Sequence, residues 1–234
     1  MKLRLYDWAP SPFCLKVRAI LDYKGLAYER VPLLSQGGRH LLGIRRRGRV
    51  GKVPALEVDG RLVVDSTDIA EELERLAPEP TIYPAGPRER ALSHAIEEWA
   101  DESLYFVGLY YQWIEPAGSR AAAEFFRRSV TGTAVHLLLR RRIEGQVVAQ
   151  GTARKPPEHV ARDLERHLDA LAALTSPGPF LFGEAPMLSD FALLGQLTYL
   201  SRTPRGGPPL ARRKEVAAYL ERFKPLRRAS TGIP

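Results

Sequence analysis

The segment that most constrains the fold runs from an alternating strand pattern directly into a capped helix. Residues 3–6 (LRLY) alternate apolar and polar side chains, which is typical of a short half-buried strand. Ser11 follows at a favourable N-cap position, and Pro12 suits the first helical position because its missing N–H is not needed there. This places a hydroxyl at the positive end of a helix dipole. Two interpretations stay open from this segment: a plain capped helix, or a site that stabilises an anion or thiolate.

A second segment predicts a β-hairpin. Two apolar runs flank Asp59-Gly60, and this dipeptide between strands is a strong signal for a two-residue turn. Pro54 stands at the start of the first run, where it removes a donor from the strand ladder. A cis Val53–Pro54 bond would explain it, because it would turn the backbone and expose the polar groups of Val53.

The hairpin leads into a helix whose start is predicted to bind a charged group. Ser66 is the predicted N-cap of a helix from 67 to about 76, with one apolar face. Its free backbone N–H groups and the Ser66 hydroxyl can bind a carboxylate, and Asp65 can bind an ammonium group.

The order of strand, S-P-F-C helix, K-V-P strand, D-G hairpin and D-S helix resembles the thioredoxin-like domain of the cytosolic glutathione S-transferases. The motif W-x-x-S-P-F is most similar to serine-type members with a tau/omega-like N-terminal motif. Further along, residues 180–183 (FLFG) and 188–191 (LSDF) resemble the turn that precedes a buried helix in this family, and 216–223 resemble its late helix. The resemblance is strongest over residues 3–77 and covers most of the chain.

The resemblance implies an α/β thioredoxin-like N-terminal domain followed by an all-α C-terminal domain. We expect the glutathione-binding domain at 1–78, a proline-rich linker at 79–87 and the helical substrate-binding domain at 88–234. The content of 44% hydrophobic and 26% charged residues is ordinary for a globular protein.

The resemblance also implies the site residues. Ser11 is the implied catalytic residue, because its hydroxyl would donate a hydrogen bond to the glutathione sulfur and so stabilise the thiolate. The implied glutathione-binding residues are Lys52 for the glycyl carboxylate, Val53 and Pro54 for the cysteinyl part, and Asp65 and Ser66 for the γ-glutamyl end. Asp65 departs from the Glu of many relatives, and the basic segment 45–49 (RRRGR) replaces their usual N-P-x-G. That segment is either a solvated loop or a further contact with the cofactor.

Cys14 is the competing candidate for the reactive group. The segment 11–14 (SPFC) has the spacing of a C-x-x-C motif whose first cysteine is replaced by serine. The first position is the reactive one in such motifs, so we expect Cys14 to be a buried structural thiol. As the single cysteine of the chain, it excludes an intrachain disulfide.

Aromatic residues are predicted to contact a second substrate. Trp8, Phe13, Tyr105 and Tyr110 are expected to line an apolar pocket in the cleft between the domains, where a small hydrophobic electrophile would bind. The histidines have no metal-ligand spacing, so no metal site is expected. A homodimer is implied by the resemblance alone.

Charge and hydropathy limit the classes of partner that the protein is expected to have. The net charge is +8, yet the basic residues form separate clusters without interleaved aromatics, which disfavours nucleic-acid binding. No run approaches the roughly 20 apolar residues of a membrane span, and no signal-peptide core is visible. We therefore expect a cytoplasmic protein.

The leading functional hypothesis is a glutathione transferase that joins the glutathione thiolate to small apolar electrophiles, with a role in detoxification. One alternative is a non-catalytic binding protein of the same fold, which Asp65 and the basic segment 45–49 favour and which Ser11, Pro54 and Ser66 disfavour. Another is a glutathione-dependent isomerase or peroxidase that uses the same site.

Overall fold

The structure is a computed structural model that describes residues 1–33, 43–44, 46, 52–127, 130–176 and 178–224. The chain divides into two compact units. The first comprises Met1–Glu97, Phe180–Gly195 and the described residues from Glu221 onward, and the second comprises Glu98–Pro179 and Gln196–Leu220. The expected domain limits at residues 78 and 88 remain a prediction.

Within the described residues, the first unit contains one mixed sheet of four strands in the order β2-β1-β3-β4. The strands are β1 Leu3–Asp7, β2 Glu29–Pro32, β3 Ala55–Val58 and β4 Arg61–Val64. Strands β1 and β2 are parallel, and helix α1 (Pro12–Tyr23) connects them, as a parallel pair requires. Strand β3 is antiparallel to both β1 and β4. This α/β unit followed by helices is the fold class predicted from the sequence.

Helix α1 begins as predicted. Ser11 is its N-cap, and its hydroxyl oxygen accepts a hydrogen bond from the backbone N–H of Cys14. The face that includes Cys14, Val17 and Ile20 is fully buried. The helix ends at Tyr23, and Gly25 adopts a φ of +64°, the left-handed conformation that ends many helices.

The hairpin and the cis peptide bond are confirmed. Asp59 and Gly60 have φ values of 46° and 91°, as a tight two-residue hairpin turn with two positive φ angles requires. The Val53–Pro54 bond is cis and directly precedes β3.

Helix α2 (Ser66–Leu76) starts one residue earlier than predicted. The prediction of Ser66 as the N-cap is wrong, because the Asp65 carboxylate accepts the hydrogen bond from the Thr67 N–H at 2.9 Å. Asp and Ser are about equally good caps, but Asp65 has the non-helical backbone conformation of an N-cap, and Ser66 lies in the first turn. The helix buries Ile69 and Leu73.

Later parts of the chain complete the first unit. They include α3 (Pro87–Glu98) and the start of α8 (Leu188–Ser201), the helix predicted to be buried. The fully buried Asp190 accepts hydrogen bonds from the backbone N–H groups of Met187 and Leu181, at 2.8 and 3.0 Å. Asp190 thus bonds backbone amides beside the helix start, although Met187 stands where a capping box has a hydroxyl residue.

The second unit is helical. Two π-helical segments, Trp99–Leu104 and Tyr110–Ile114, flank α4. The helices are α4 Tyr105–Leu109, α5 Pro116–Phe126, α6 Val130–Gln150, α7 Pro157–Thr175, the end of α8, α9 Gly207–Arg212 and α10 Lys214–Glu221, with a 3₁₀ turn at Thr152–Arg154.

Two helix boundaries differ from the prediction. The helical sequence pattern over residues 119–150 predicts a single long helix bent at Gly132. The structure has two helices instead: α5 ends at Phe126, and Gly132 lies inside α6. The proline- and glycine-rich residues 204–209 (PRGGPP) predict a loop. A short helix begins at Gly207 instead, because prolines are well tolerated in a first helical turn. Among the helices of the described residues, none has the length and apolar composition needed to cross a membrane.

Candidate active site

Ser11 lies at the junction of a tight turn and α1. Its backbone N–H donates to the Trp8 carbonyl oxygen at 2.9 Å and closes the turn after β1. Its hydroxyl oxygen accepts from the Cys14 N–H at 3.3 Å, which leaves the hydroxyl proton as a donor. No described residue accepts that proton. The buried hydroxyl can therefore donate to a ligand atom at the positive end of the α1 dipole.

Cys14 is the buried structural thiol expected from the sequence. Its side chain is fully buried, and Sγ accepts a hydrogen bond from the Trp8 N–H at 3.4 Å. Burial disfavours the thiolate and raises the pKa of the thiol to about 12. At neutral pH the group is uncharged, so it helps to hold the turn and does not act as a nucleophile.

Two arginines meet a buried carboxylate beside this turn. Asp7, at the end of β1, is 3% exposed and pairs with Arg18 of α1 and Arg30 of β2. Arg18 Nη2 also lies 3.4 Å from the Ala9 carbonyl oxygen. No pattern in the sequence indicated this cluster, because its members lie on three different elements and only the fold brings them together.

Val53 and Pro54 directly precede β3, and the backbone groups of Val53 are open to a ligand. Pro54 is buried and Val53 is half-buried, whereas Lys52 is exposed. The N–H and C=O of Val53 form no hydrogen bond with any described residue, so both stay available to a peptide. The basic segment 45–49 lies outside the described residues except for position 46.

Asp65 combines a capping bond with an unusual backbone conformation. Its φ of 81° with ψ of 138° is rarely adopted by residues other than glycine. Such conformations cost about 1–3 kcal/mol and cluster at ligand sites, where the surrounding structure maintains them. Ser66, the next residue, is buried at the first turn of α2. An acidic side chain and a helix N-terminus thus lie side by side.

A buried ion pair supports the start of α2. Lys16 of α1 and Glu97 of α3 have side chains 1% and 0% exposed, and Nζ lies 2.5 Å from Oε1. The Thr67 hydroxyl donates to the same carboxylate oxygen at 2.7 Å. The pair therefore connects α1, α2 and α3 at Thr67, the residue that follows the Asp65-Ser66 segment. Its members are far apart in sequence, and no local motif could have identified them.

The strand register brings the predicted cofactor residues to one end of the sheet. Tyr6 of β1 pairs with Ala55 of β3, which in turn pairs with Val64 of β4. The turn carrying Ser11 follows β1, the cis Val53–Pro54 bond precedes β3, and Asp65 follows β4. A hydroxyl donor, open backbone groups and an acidic helix start suit the thiol, the peptide unit and the zwitterionic end of glutathione, so these residues fit the tripeptide.

The residues predicted to contact a second substrate are divided between the two units. Trp8 and Phe13 are half-buried in the first unit. In the second unit, Tyr105 packs edge-on against Phe106 with ring centroids 5.4 Å apart. Tyr110 lines a cavity of about 330 Å³ in the same unit. Their contact with a substrate remains a prediction.

One further serine–histidine pair has the wrong tautomer for catalysis. Trp99 Nε1–H can only donate, and it lies 3.2 Å from His167 Nδ1. The proton of the neutral ring is therefore on Nε2, which lies 3.5 Å from Ser103 Oγ. Burial lowers the pKa of His167 and keeps the ring neutral. The histidine donates toward Ser103 and does not accept its proton.

Comparison with protein families matches both halves of the chain. Residues 5–81 match the model of the glutathione S-transferase N-terminal domain, and residues 134–222 match that of the glutathione S-transferase C-terminal domain. Together the two matches include the sheet, the Ser11 turn, the Val53–Pro54 bond and most of the helical region.

Individual relatives match over shorter segments. Protein LigF of Sphingobium sp. is 38% identical over 105 residues, which are 44% of this chain and 41% of LigF. Maleylacetoacetate isomerase of Mus musculus is 35% identical over 97 residues, 40% of this chain and 45% of the isomerase. The match thus spans less than half the length of these curated relatives.

Solved structures resemble the whole chain. The crystal structure of the beta-etherase LigF has a TM-score of 0.73 at 25% identity and covers 98% of this chain and 100% of its own. Rice GST1 in complex with glutathione has a TM-score of 0.68 at 20% identity, with 100% and 91% covered, and so supports the fold alone. With both domain models matched in order along one chain, the protein belongs to the glutathione S-transferase family.

Proposed function

We propose that this protein is a glutathione transferase whose catalytic residue is Ser11. The observation that carries the proposal is the convergence of Ser11, Val53–Pro54 and Asp65-Ser66 at one end of the sheet. Glutathione is the cofactor of the family, and when bound it supplies a nucleophilic sulfur. Its sulfur would form a bond to an electrophilic carbon while the leaving group departs with the electron pair.

The role of Ser11 follows from its hydrogen bonds. Its oxygen accepts a hydrogen bond from the Cys14 N–H, so its proton would be donated to the ligand and would favour the anionic form of a bound thiol. The dipole of α1 acts in the same direction. A group that donates without removing a proton suits serine, which is a weak base at neutral pH.

The remaining residues would bind and orient the tripeptide. The open N–H and C=O of Val53 would pair with the cysteinyl backbone, with Pro54 fixing the direction of the chain. Asp65 would bind the γ-glutamyl ammonium, and Ser66 with the α2 N-terminus would bind the adjacent carboxylate. The exposed Lys52 would reach the glycyl carboxylate.

Two other glutathione-dependent reactions would use the same site. The similarity to proteins named beta-etherase and maleylacetoacetate isomerase supports ether cleavage and cis–trans isomerisation as the second candidates. Ether cleavage differs from simple conjugation in the leaving group, and isomerisation differs in what becomes of glutathione. Ether cleavage would join it to one fragment and release an alcohol or phenol, whereas isomerisation would regenerate it.

The experiment is a turnover screen that follows glutathione stoichiometry. The purified protein is incubated with glutathione and a haloarene, an aryl ether, a cis-enone or an organic hydroperoxide, and thioether, released phenol, isomer and glutathione disulfide are quantified. Conjugation predicts one glutathione consumed for each thioether formed and a rate that falls about 10- to 1000-fold in Ser11→Ala.

Two results would contradict the proposal. Turnover that consumes no glutathione would replace transfer by isomerisation. Glutathione binding without turnover of any compound would favour the non-catalytic alternative. The homodimer, the cytoplasmic location and the role in detoxification stay predictions.

A further inference from the structure

The turn that presents Ser11 is bridged by a side chain from further along α1. Arg18 pairs through Nη1 with Asp7, the last residue of β1. Through Nη2 the same guanidinium approaches the carbonyl oxygen of Ala9, at 3.4 Å. It therefore contacts both the strand end and the turn. We infer that Arg18 is a positioning residue that fixes the Ser11 hydroxyl for thiolate stabilisation, an inference that rests on the proposed function.

The other hydrogen bonds of this turn involve Trp8 and leave Ala9 and Pro10, at its centre, unrestrained. The Ser11 N–H and the Cys14 thiol both hold Trp8, at the start of the turn. Among the described residues, the Arg18 guanidinium is the sole hydrogen-bond partner of residues 9 and 10, since Pro10 has no N–H to donate. Without Arg18, Ala9 would lose this hydrogen bond, and the turn directly before Ser11 would lose its restraint from α1 through Ala9.

The ion pair between Arg18 and Asp7 is largely buried, unlike an ion pair on the protein surface. The Arg18 side chain is 14% exposed and that of Asp7 is 3% exposed, so the guanidinium has little freedom to move. An arginine is needed for this geometry, because its planar fork offers donors to two acceptors at once. The compact ammonium group of a lysine could pair with the carboxylate but would not span both acceptors.

Arg30 provides a control within the same cluster. It donates to the other Asp7 oxygen from β2, with Nη2 at 2.5 Å and Nε at 3.1 Å. Within the described part of the chain it makes no hydrogen bond to the turn, and it is 51% exposed. Replacing Arg30 removes the same unit charge from the same carboxylate while leaving the Ala9 contact in place.

The test measures the pKa of bound glutathione. The ultraviolet absorbance of the thiolate is titrated in the protein saturated with glutathione, for the wild type, Ser11→Ala, Arg18→Met, Arg30→Met and Ser11→Ala/Arg18→Met. Arg18→Met is expected to raise the pKa of the bound thiol by about one unit, a tenfold loss of thiolate at fixed pH. Arg30→Met is expected to shift it by less than about 0.3 units, since exposed charges are well screened.

The double variant separates positioning from charge. If Arg18 acts through Ser11, Arg18→Met should cause no further shift in the Ser11→Ala background. Equal shifts from Arg18→Met in both backgrounds, or from Arg30→Met and Arg18→Met, would overturn the inference in favour of a charge effect. Arg18→Lys, which keeps the charge and supports folding, should shift the pKa in the same direction as Arg18→Met.

The same titrations distinguish a failure of the proposed function from a failure of the role assigned to Arg18. If Ser11→Ala leaves the titration unchanged, or glutathione does not bind at all, the proposed site is wrong and the inference falls with it. If Ser11→Ala raises the pKa while Arg18→Met and Arg18→Lys do not, the site stands and only the role of Arg18 is overturned.

Discussion

Gly195 allows α8 to lie against the start of α1, and adding one methyl group there should disturb Ser11. A Cβ built on Gly195 would lie 2.5 Å from the Pro12 carbonyl oxygen and 3.1 Å from its carbonyl carbon. Ordinary carbon–oxygen contacts begin near about 3.3 Å, so the two backbones would have to separate by about 0.8 Å. Because Pro12 directly follows Ser11, this movement changes the position of the hydroxyl.

The expected cost combines two opposing effects. Alanine is favoured over glycine in a helix interior by about 1 kcal/mol. Overpacking costs about 1–3 kcal/mol, and here the obstructing atom belongs to the backbone, which cannot rotate away as a side chain would. We therefore expect Gly195→Ala to lower the free energy of unfolding by about 1 kcal/mol, or the Tm by about 2–4 °C.

Gly145 is the matched control. It is an exposed residue inside α6, and a Cβ there would meet nothing within 4 Å. Gly145→Ala should therefore raise the Tm slightly through helix propensity alone. Thermal unfolding of both variants and titration of bound glutathione in Gly195→Ala provide the measurement. If Gly195→Ala is as stable as Gly145→Ala and leaves the pKa of the bound thiol unchanged, the close approach does not constrain Ser11.

Three further changes have defined outcomes. The pKa of Cys14 is raised to about 12, above its value in the unfolded chain. Its contribution to stability should therefore be constant below about pH 9 and fall by about 1.4 kcal/mol per pH unit between about pH 9 and 12, and Cys14→Ser should remove this part of the fall in urea unfolding. Asp65→Asn keeps a capping oxygen and tolerance of positive φ but loses the charge, so glutathione affinity in calorimetry should fall about tenfold or more with little change in Tm. Glu97→Gln removes the carboxylate that pairs with the buried Lys16 and should cost about 3–5 kcal/mol in urea unfolding, whereas Lys16→Met/Glu97→Leu should recover most of that loss. Stability of Glu97→Gln equal to that of the wild type would show that the pair is not a buried ionic contact.

The sequence predicted the N-terminal elements because their signals are local. A serine followed by proline marks the start of α1, and Asp59-Gly60 marks the hairpin within a few residues of each strand. The same motifs carry the family resemblance, which implies Ser11 and Val53 as site residues. Each of these signals depends on the backbone preferences of one or two residues, or on a capping hydrogen bond that spans no more than three or four positions.

Two kinds of feature could not be predicted from the sequence. One is the choice between neighbouring residues that are equally good helix caps, and the other is contact between residues that are far apart in the chain. Asp65 and Ser66 are both good caps, and only the backbone conformation of Asp65 decides between them. Lys16 and Glu97 are 81 positions apart, and each taken alone has the pattern of a solvated helix residue. Arg18 likewise reads as one of many basic residues until β1 and the turn bring Asp7 and Ala9 beside it.

The burial of Cys14 has a consequence for oxidising conditions. A protein that binds glutathione works in a pool that also contains glutathione disulfide, and an exposed thiolate near the site would exchange with it and become blocked as a mixed disulfide. Cys14 lies one helical turn from Ser11, yet it is fully buried and uncharged at neutral pH. Because position 11 is a serine, the helix start has no reactive thiol that could exchange with glutathione disulfide. Activity should therefore survive a shift of the pool toward its disulfide, limited by the amount of reduced cofactor and not by damage to the protein.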